Sequence, residues 1–119
     1  MRTRLGWLLT MILAALAACT PPASEGGFDS PDPASKLYAI QRAGEQQDRA
    51  AIPDLVEQLG SDDPAVRMMS INALERITGE RLGYNPYGSL PERQDAIEGW
   101  AAAVREGKFG APVNTESNP

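Results

Sequence analysis

The sequence predicts an all-α protein, a short α-solenoid of about four helices, flanked by a disordered N-terminal tether and a disordered C-terminal tail. Three observations predict it. Residues 51–78 read as two helices joined by a tight turn. Asp32-Pro33-Ala34 returns as Asp63-Pro64-Ala65, 31 residues later. Ala51-Ile52, Leu55 and Leu59 return with the same internal spacing as Ala96-Ile97, Trp100 and Val104. A fixed period of this length is the mark of stacked helical units.

Ahead of the helices, Arg2 and Arg4 form a basic start, and Leu5–Ala18 is an uncharged, mostly apolar run. The run is too short to span a bilayer comfortably and reads as a secretory signal over 1–18. It ends in Leu16-Ala17-Ala18-Cys19. These four residues, in this order and place, resemble the lipobox of bacterial lipoproteins. The resemblance implies cleavage before Cys19, acyl chains such as palmitate on its sulfur, and attachment to a membrane of the cell envelope, facing the periplasm. Thr20, where proteins kept in the inner membrane often carry Asp, leans towards the outer membrane. Cys19 is the single cysteine, so no disulfide forms within the chain. Several acyl chains are needed for stable attachment, because one alone binds marginally.

Removing residues 1–18 takes two arginines and no acid, which leaves a formal charge of −7. An acidic surface argues against nucleic acid as a partner and against electrostatic attraction to anionic lipid. Residues 19–31, rich in Pro, Gly and Ser, read as a flexible tether. Phe28 is its one large apolar side chain and either docks or is exposed.

The helices follow over roughly 33–45, 49–60, 64–78 and 91–106. Ile52, Leu55, Val56 and Leu59 share one face of the second. Gly60 is placed to stop it in a left-handed conformation. Asp63 caps the third helix, and Pro64 suits its first position. That helix carries a broad stripe of Val66, Met69, Ser70, Ile71, Ala73, Leu74 and Ile77, with Arg67, Asn72, Glu75 and Arg76 left to the edges and the wet side. Residues 33–44 have no partner of the first-helix type before them and read as a half-repeat cap, in which Ser35, Arg42 and Gln46 stand where the second copy has apolar residues. Ser89 and Glu92 form a capping box for the fourth helix, whose inner face is Ile97, Trp100, Ala101 and Val104.

AIPDLVEQLGSDDPAVRMMSINAL resembles the HEAT repeat, including its short lyase-type form: an Ala-Ile-Pro-x-Leu opening, an Asp-Pro turn, then Val66-Arg67 and the Ala73-Leu74 pair. About two such repeats fit within 32–107. The resemblance implies binding of another protein along the helices lining one side of the stack. By helical angle the exposed candidates are Tyr38, Arg42, Arg67, Met68, Asn72 and Glu75. Between the third and fourth helices lies an insertion of about fourteen residues relative to the period. Its Tyr84 and Tyr87 either cover the open end of the stack or form a recognition loop. The residues 108–119 show no periodicity and read as a disordered tail.

Catalytic candidates are scarce, since there is no histidine and the one thiol is expected to be lipidated. Asp62-Asp63 reads as a capped turn, Asp29 and Asp32 with Ser30 lack EF-hand spacing, and Met68-Met69 reads as core. No metal or cofactor is expected. The sequence thus points to a non-catalytic interaction module or scaffold. The alternatives are a self-associating structural component of the envelope and an accessory subunit of a lyase-type enzyme. A domain of about 75 residues has a thin stability margin, which self-association or a closed end would relieve.

Overall fold

The computed structural model describes residues 26–110. The expected signal, Cys19 and the segment from 111 onward lie outside the described residues. Four helices form: α1 (Pro33–Glu45), α2 (Ile52–Gln58), α3 (Pro64–Thr78) and α4 (Leu90–Arg105), with a 3-10 turn at Arg49–Ala51 leading into α2. No strand occurs among the described residues, and none of their helices is long and apolar enough to cross a membrane.

The 31-residue period is reproduced at its turns. The amide of Asp32 donates to Ser30 Oγ at 3.2 Å, and that of Asp63 donates to Ser61 Oγ at 3.2 Å. Both aspartates then cap their helices, Asp32 accepting from the Ser35 amide at 3.0 Å and Asp63 from the Ala65 amide at 2.8 Å. Phe28 occupies the register of Leu59 and packs, half-buried, on the core. The first repeat has therefore kept its turn and second helix while its first helix is reduced, among the described residues, to one aromatic anchor. Residues 26–31, expected to belong to the tether, are thus part of the folded unit, with Ser30 buried.

α1 and α3 lie side by side and parallel. Gly44 faces Ala73, and Gln47 Nε2 donates to the Arg76 carbonyl at 3.1 Å, two pairs with the same sequence separation. α2 folds back on α3, and α4 packs on α2. The core is one cluster in which Ile40, Ile52, Leu55, Leu59, Ile71, Leu74 and Trp100 are fully buried. Of the stripe on α3, Met69 alone is half-exposed.

One backbone expectation is corrected. Gly60 is not left-handed; α2 ends through successive tight turns, Leu59 to Val56, Gly60 to Glu57 and Ser61 to Gln58. The left-handed cap sits instead at Gly79, which ends α3 with φ of 79°. The direction of α4 is set by two contacts. Arg49, ahead of α2, donates to the Phe109 carbonyl beyond the end of α4 at 2.6 Å, while Tyr84, ahead of α4, reaches Leu59 at the end of α2. α4 is therefore antiparallel to α2. The matching spacing of 51–59 and 96–104 supplies equivalent apolar faces, not equivalent positions in the stack. Phe109 is itself buried, its ring 5.4 Å from that of Trp100, so Lys108–Gly110 belong to the domain and not to the tail.

Candidate partner-binding surface

Two flanks of α3 decide what surface the domain offers. On one flank α1 approaches closely, because glycine at 44 removes a side chain; a Cβ there would lie 3.1 Å from both Cα and Cβ of Ala73. Glycine inside a helix costs about 1 kcal/mol against alanine, so its presence in α1 marks a contact. The two helices meet at a floor of Gly44, Ala73 and Met69, and longer side chains rise on either side. Gln41 and Glu45 on α1 face Asn72 and Arg76 on α3 across an open groove of about 230 Å³. Gln41 Nε2 donates to Glu45 Oε1 at 2.9 Å. Amide, carboxylate and guanidinium thus line one small apolar floor, a set suited to hydrogen-bonding an extended or helical segment of another protein. A second shallow depression lies beside Phe28, Tyr38, Arg42 and Gln46.

On the other flank, where a further helix would stack, the segment 79–89 runs back along α3. Arg81 Nη1 lies 2.6 Å from Glu75 Oε2 and donates to Asn72 Oδ1 at 3.2 Å. Further along, Tyr87 Oη lies 4.0 Å from Met68 Sδ. At the start of α3, Arg67 Nε donates to the Pro86 carbonyl at 3.1 Å. The segment fills a helix's place with backbone carbonyls and aromatic rings.

These contacts sort the residues expected to meet a partner. Tyr38 is 54 % exposed and Tyr87 70 % exposed. Arg42, Asn72 and Glu75 are exposed as expected from helical angle, although Arg81 already engages Asn72 and Glu75. Met68 is half-buried beneath Tyr87. Arg67 is corrected: it is buried, and besides Pro86 it donates through Nη1 to the carbonyls of Ser61 at 2.9 Å and Asp62 at 3.0 Å. Its function is to tie the α2–α3 turn to the inserted segment. Of the two alternatives for Tyr84, the structure has the covering one, so it is not an exposed partner-binding residue. It is buried, and its hydroxyl donates to the Leu59 carbonyl at 2.6 Å. Gln41, Glu45 and Arg76 were missed, and mid-helix Gly44 was the signal for them.

Three groups are shifted from their ordinary acidity, each by a structural contact. Burial raises the Tyr84 phenol, while the charges of Arg67 and Arg93 pull it the other way. Hydrogen bonds from the Ser35 side chain and amide lower Asp32, and those from Ser89 lower Glu92, where the expected capping box forms. None of the three lies in the α1–α3 groove. Among the described residues no group of three or more His, Cys, Asp or Glu is placed to hold a metal ion.

The HEAT repeats family matches residues 21–84, which covers α1, α2, α3 and the inserted segment as far as Tyr84, and stops short of the reversed α4. Neither the curated proteins nor the solved structures contain a match.

Proposed function

This chain belongs to the HEAT-repeat family, and from that premise we propose that it is a non-catalytic protein-interaction module, held at a membrane of the bacterial envelope by lipid on Cys19. HEAT repeats commonly mediate protein–protein contact and are generally scaffolds. The observation that carries the reading is the groove between the parallel helices α1 and α3, where a floor of small residues is bordered by Gln41, Glu45, Asn72 and Arg76. Such a rim gives orientation and selectivity through hydrogen bonds, and the floor contributes the apolar contact.

The expected partner is a protein of the same compartment. A photoreactive residue at Gln41 or Asn72 should crosslink to it in the native envelope, and one at Asp54, exposed on α2, should not. Equal crosslinking at all three positions, or none at any, would reject the groove. Crosslinks only to further copies of this chain would identify a self-associating structural component instead. Replacing Cys19 by Ser should move the chain from the membrane to the soluble fraction; retention in the membrane would reject the lipid anchor.

A further inference from the structure

The outer faces of α1 and α3 are related by the 31-residue period, and their exposed residues answer one another in type. Buried positions repeat themselves, as Ile40 and Ile71 do, but exposed ones change. Tyr38 corresponds to Met69, Gln41 to Asn72 and Glu45 to Arg76. The pairs are complementary: ring with thioether, acceptor with donor, acid with base. The two amides are fixed in sense by their neighbours. Gln41 Nε2 is engaged by Glu45, which leaves its carbonyl oxygen as an acceptor, and Asn72 Oδ1 is engaged by Arg81, which leaves Nδ2 as a donor.

Within one chain these pairs do not meet. The ion pairs among the described residues are Arg81–Glu75 and Lys108–Glu80, so Glu45 and Arg76 stand on opposite walls of the groove without pairing. Tyr38 is 54 % exposed and Met69 half-exposed. The helices approach in a register of 29 residues against a period of 31, a difference of about 3 Å along the axis. Corresponding residues therefore stand at nearly one height, well within the reach of side chains this long.

A two-fold axis running along the groove turns this correspondence into contact. It lays α1 of one copy over α3 of the other, parallel and at unchanged height, so that Tyr38 meets Met69, Gln41 meets Asn72 and Glu45 meets Arg76, each twice. An axis across the helices would lay α1 on α1 and α3 on α3, and Glu45 and Arg76 would lose their opposites. Open-ended stacking is blocked on one flank, because the segment 79–89 already takes the place of a further helix beside α3. A closed pair remains.

We infer that, when no other protein occupies the groove, a second copy of this chain does, in a parallel two-fold dimer; this rests on the groove being the binding face. Each face measures about 20 Å by 20 Å, so roughly 800 Å² is buried in total, the range of transient contacts. Exposed ion pairs add little each. The polar pairs set the orientation, and Tyr38 on Met69 supplies the apolar contact.

The test uses the full chain in its native envelope, with a photoreactive residue at Gln41 or Asn72 and two copies carrying different tags. The parent should yield adducts with a second copy as well as with another protein. Glu45→Arg alone and Arg76→Glu alone should each lower the copy–copy adduct several-fold, because like charges then meet. Co-expressing the two variants should restore it as a mixed adduct, since one chain is then basic at both positions and the other acidic at both. Single swaps without effect, or no restoration, would overturn the inference. Adducts with another protein alone would overturn it too and leave the groove reading standing, whereas no adduct at either position would remove both. Adducts with copies alone would keep the dimer and reject the outside partner. Should a swap deplete the chain in the envelope, Gln41→Cys in one copy and Asn72→Cys in the other decide by mild oxidation: a mixed disulfide in excess of those between like positions is expected, and its absence overturns the dimer.

Discussion

The two flanks of α3 are held by different physics. Against α1 the contact is one of shape, with Gly44 on Ala73 and Ile40 in the shared core. Such a contact tolerates little added volume, because interiors are close-packed. Against the segment 79–89 the contact is one of hydrogen bonds: Arg81 reaches Glu75 and Asn72 on the surface, and the inner bonds each reach a main-chain carbonyl, Arg67 to Pro86, Tyr84 to Leu59 and Trp100 Nε1 to Arg81 at 3.1 Å. A repeated helix can be specified by a stripe of small and apolar residues. An irregular segment has unpaired carbonyls that must be satisfied where they are buried. A few long polar side chains do this, and they are invisible as core in a hydropathy pattern.

The largest effect should come from the residue that joins the segment to α4. Trp100→Ala removes the partner of Phe109 and the donor to Arg81, and is expected to cost about 3–5 kcal/mol, enough to leave a domain this small largely unfolded in a urea titration followed by circular dichroism. Arg67→Met keeps much of the volume but leaves three carbonyls without their charged donor. A loss of about 2–4 kcal/mol is expected, with Arg67→Lys recovering little, since lysine lacks the planar fork. If Arg67→Met unfolds at the parent's urea midpoint, the hydrogen-bonded flank is not what secures that side.

Gly44→Ala tests the shape-held flank. The new Cβ meets backbone and Cβ of Ala73, and the expected cost is about 1–3 kcal/mol despite alanine's better helix propensity; a gain in stability would show that α1 can move away freely. Ser70→Ala should run the other way. Ser70 Oγ is fully buried with no hydrogen-bond partner among the described residues, and the first repeat has Ala39 in its register. A gain of about 0.5–1 kcal/mol is expected in the same titration. The smallest effect lies in the caps. Asp32 and Glu92 have lowered pKa values in the fold, so their contribution is present above their ordinary values of 3.8 and 4.5 and fades as pH falls through the lowered ones. Asp32→Asn with Glu92→Gln should flatten the stability profile in that acid range, and a profile identical to the parent's would remove the caps from the account.

Much of the fold was legible because helices leave local marks. The Asp-Pro starts, the capping box of Ser89 and Glu92, and the 31-residue echo each depend on residues close in sequence. The candidate site was legible only in part. The HEAT resemblance points to the exposed sides of α1 and α3, between which the groove lies, but Gln41, Glu45 and Arg76 needed the knowledge that α1 and α3 approach at Gly44. Arg67 lies at +3, +4 and +7 spacing from Ser70, Ile71 and Leu74, the spacing of one face. Its charge outweighed its position in the sequence reading, and the position was right.

By itself the sequence determined four helices, the N-caps of α3 and α4 and the apolar stripes, because these follow from 3.6-residue periodicity and short-range hydrogen bonds, while its repeat motif carries the family. Only the tertiary structure decided that α4 runs antiparallel to α2, that Arg67 and Tyr84 are buried, and that Phe28 and Phe109 fold onto the core. The reason is physical. A helix's sequence states which side is apolar but not which way along its neighbour it lies, and that direction was set by a segment long enough to run back beside α3 and make its carbonyls the partners of distant side chains.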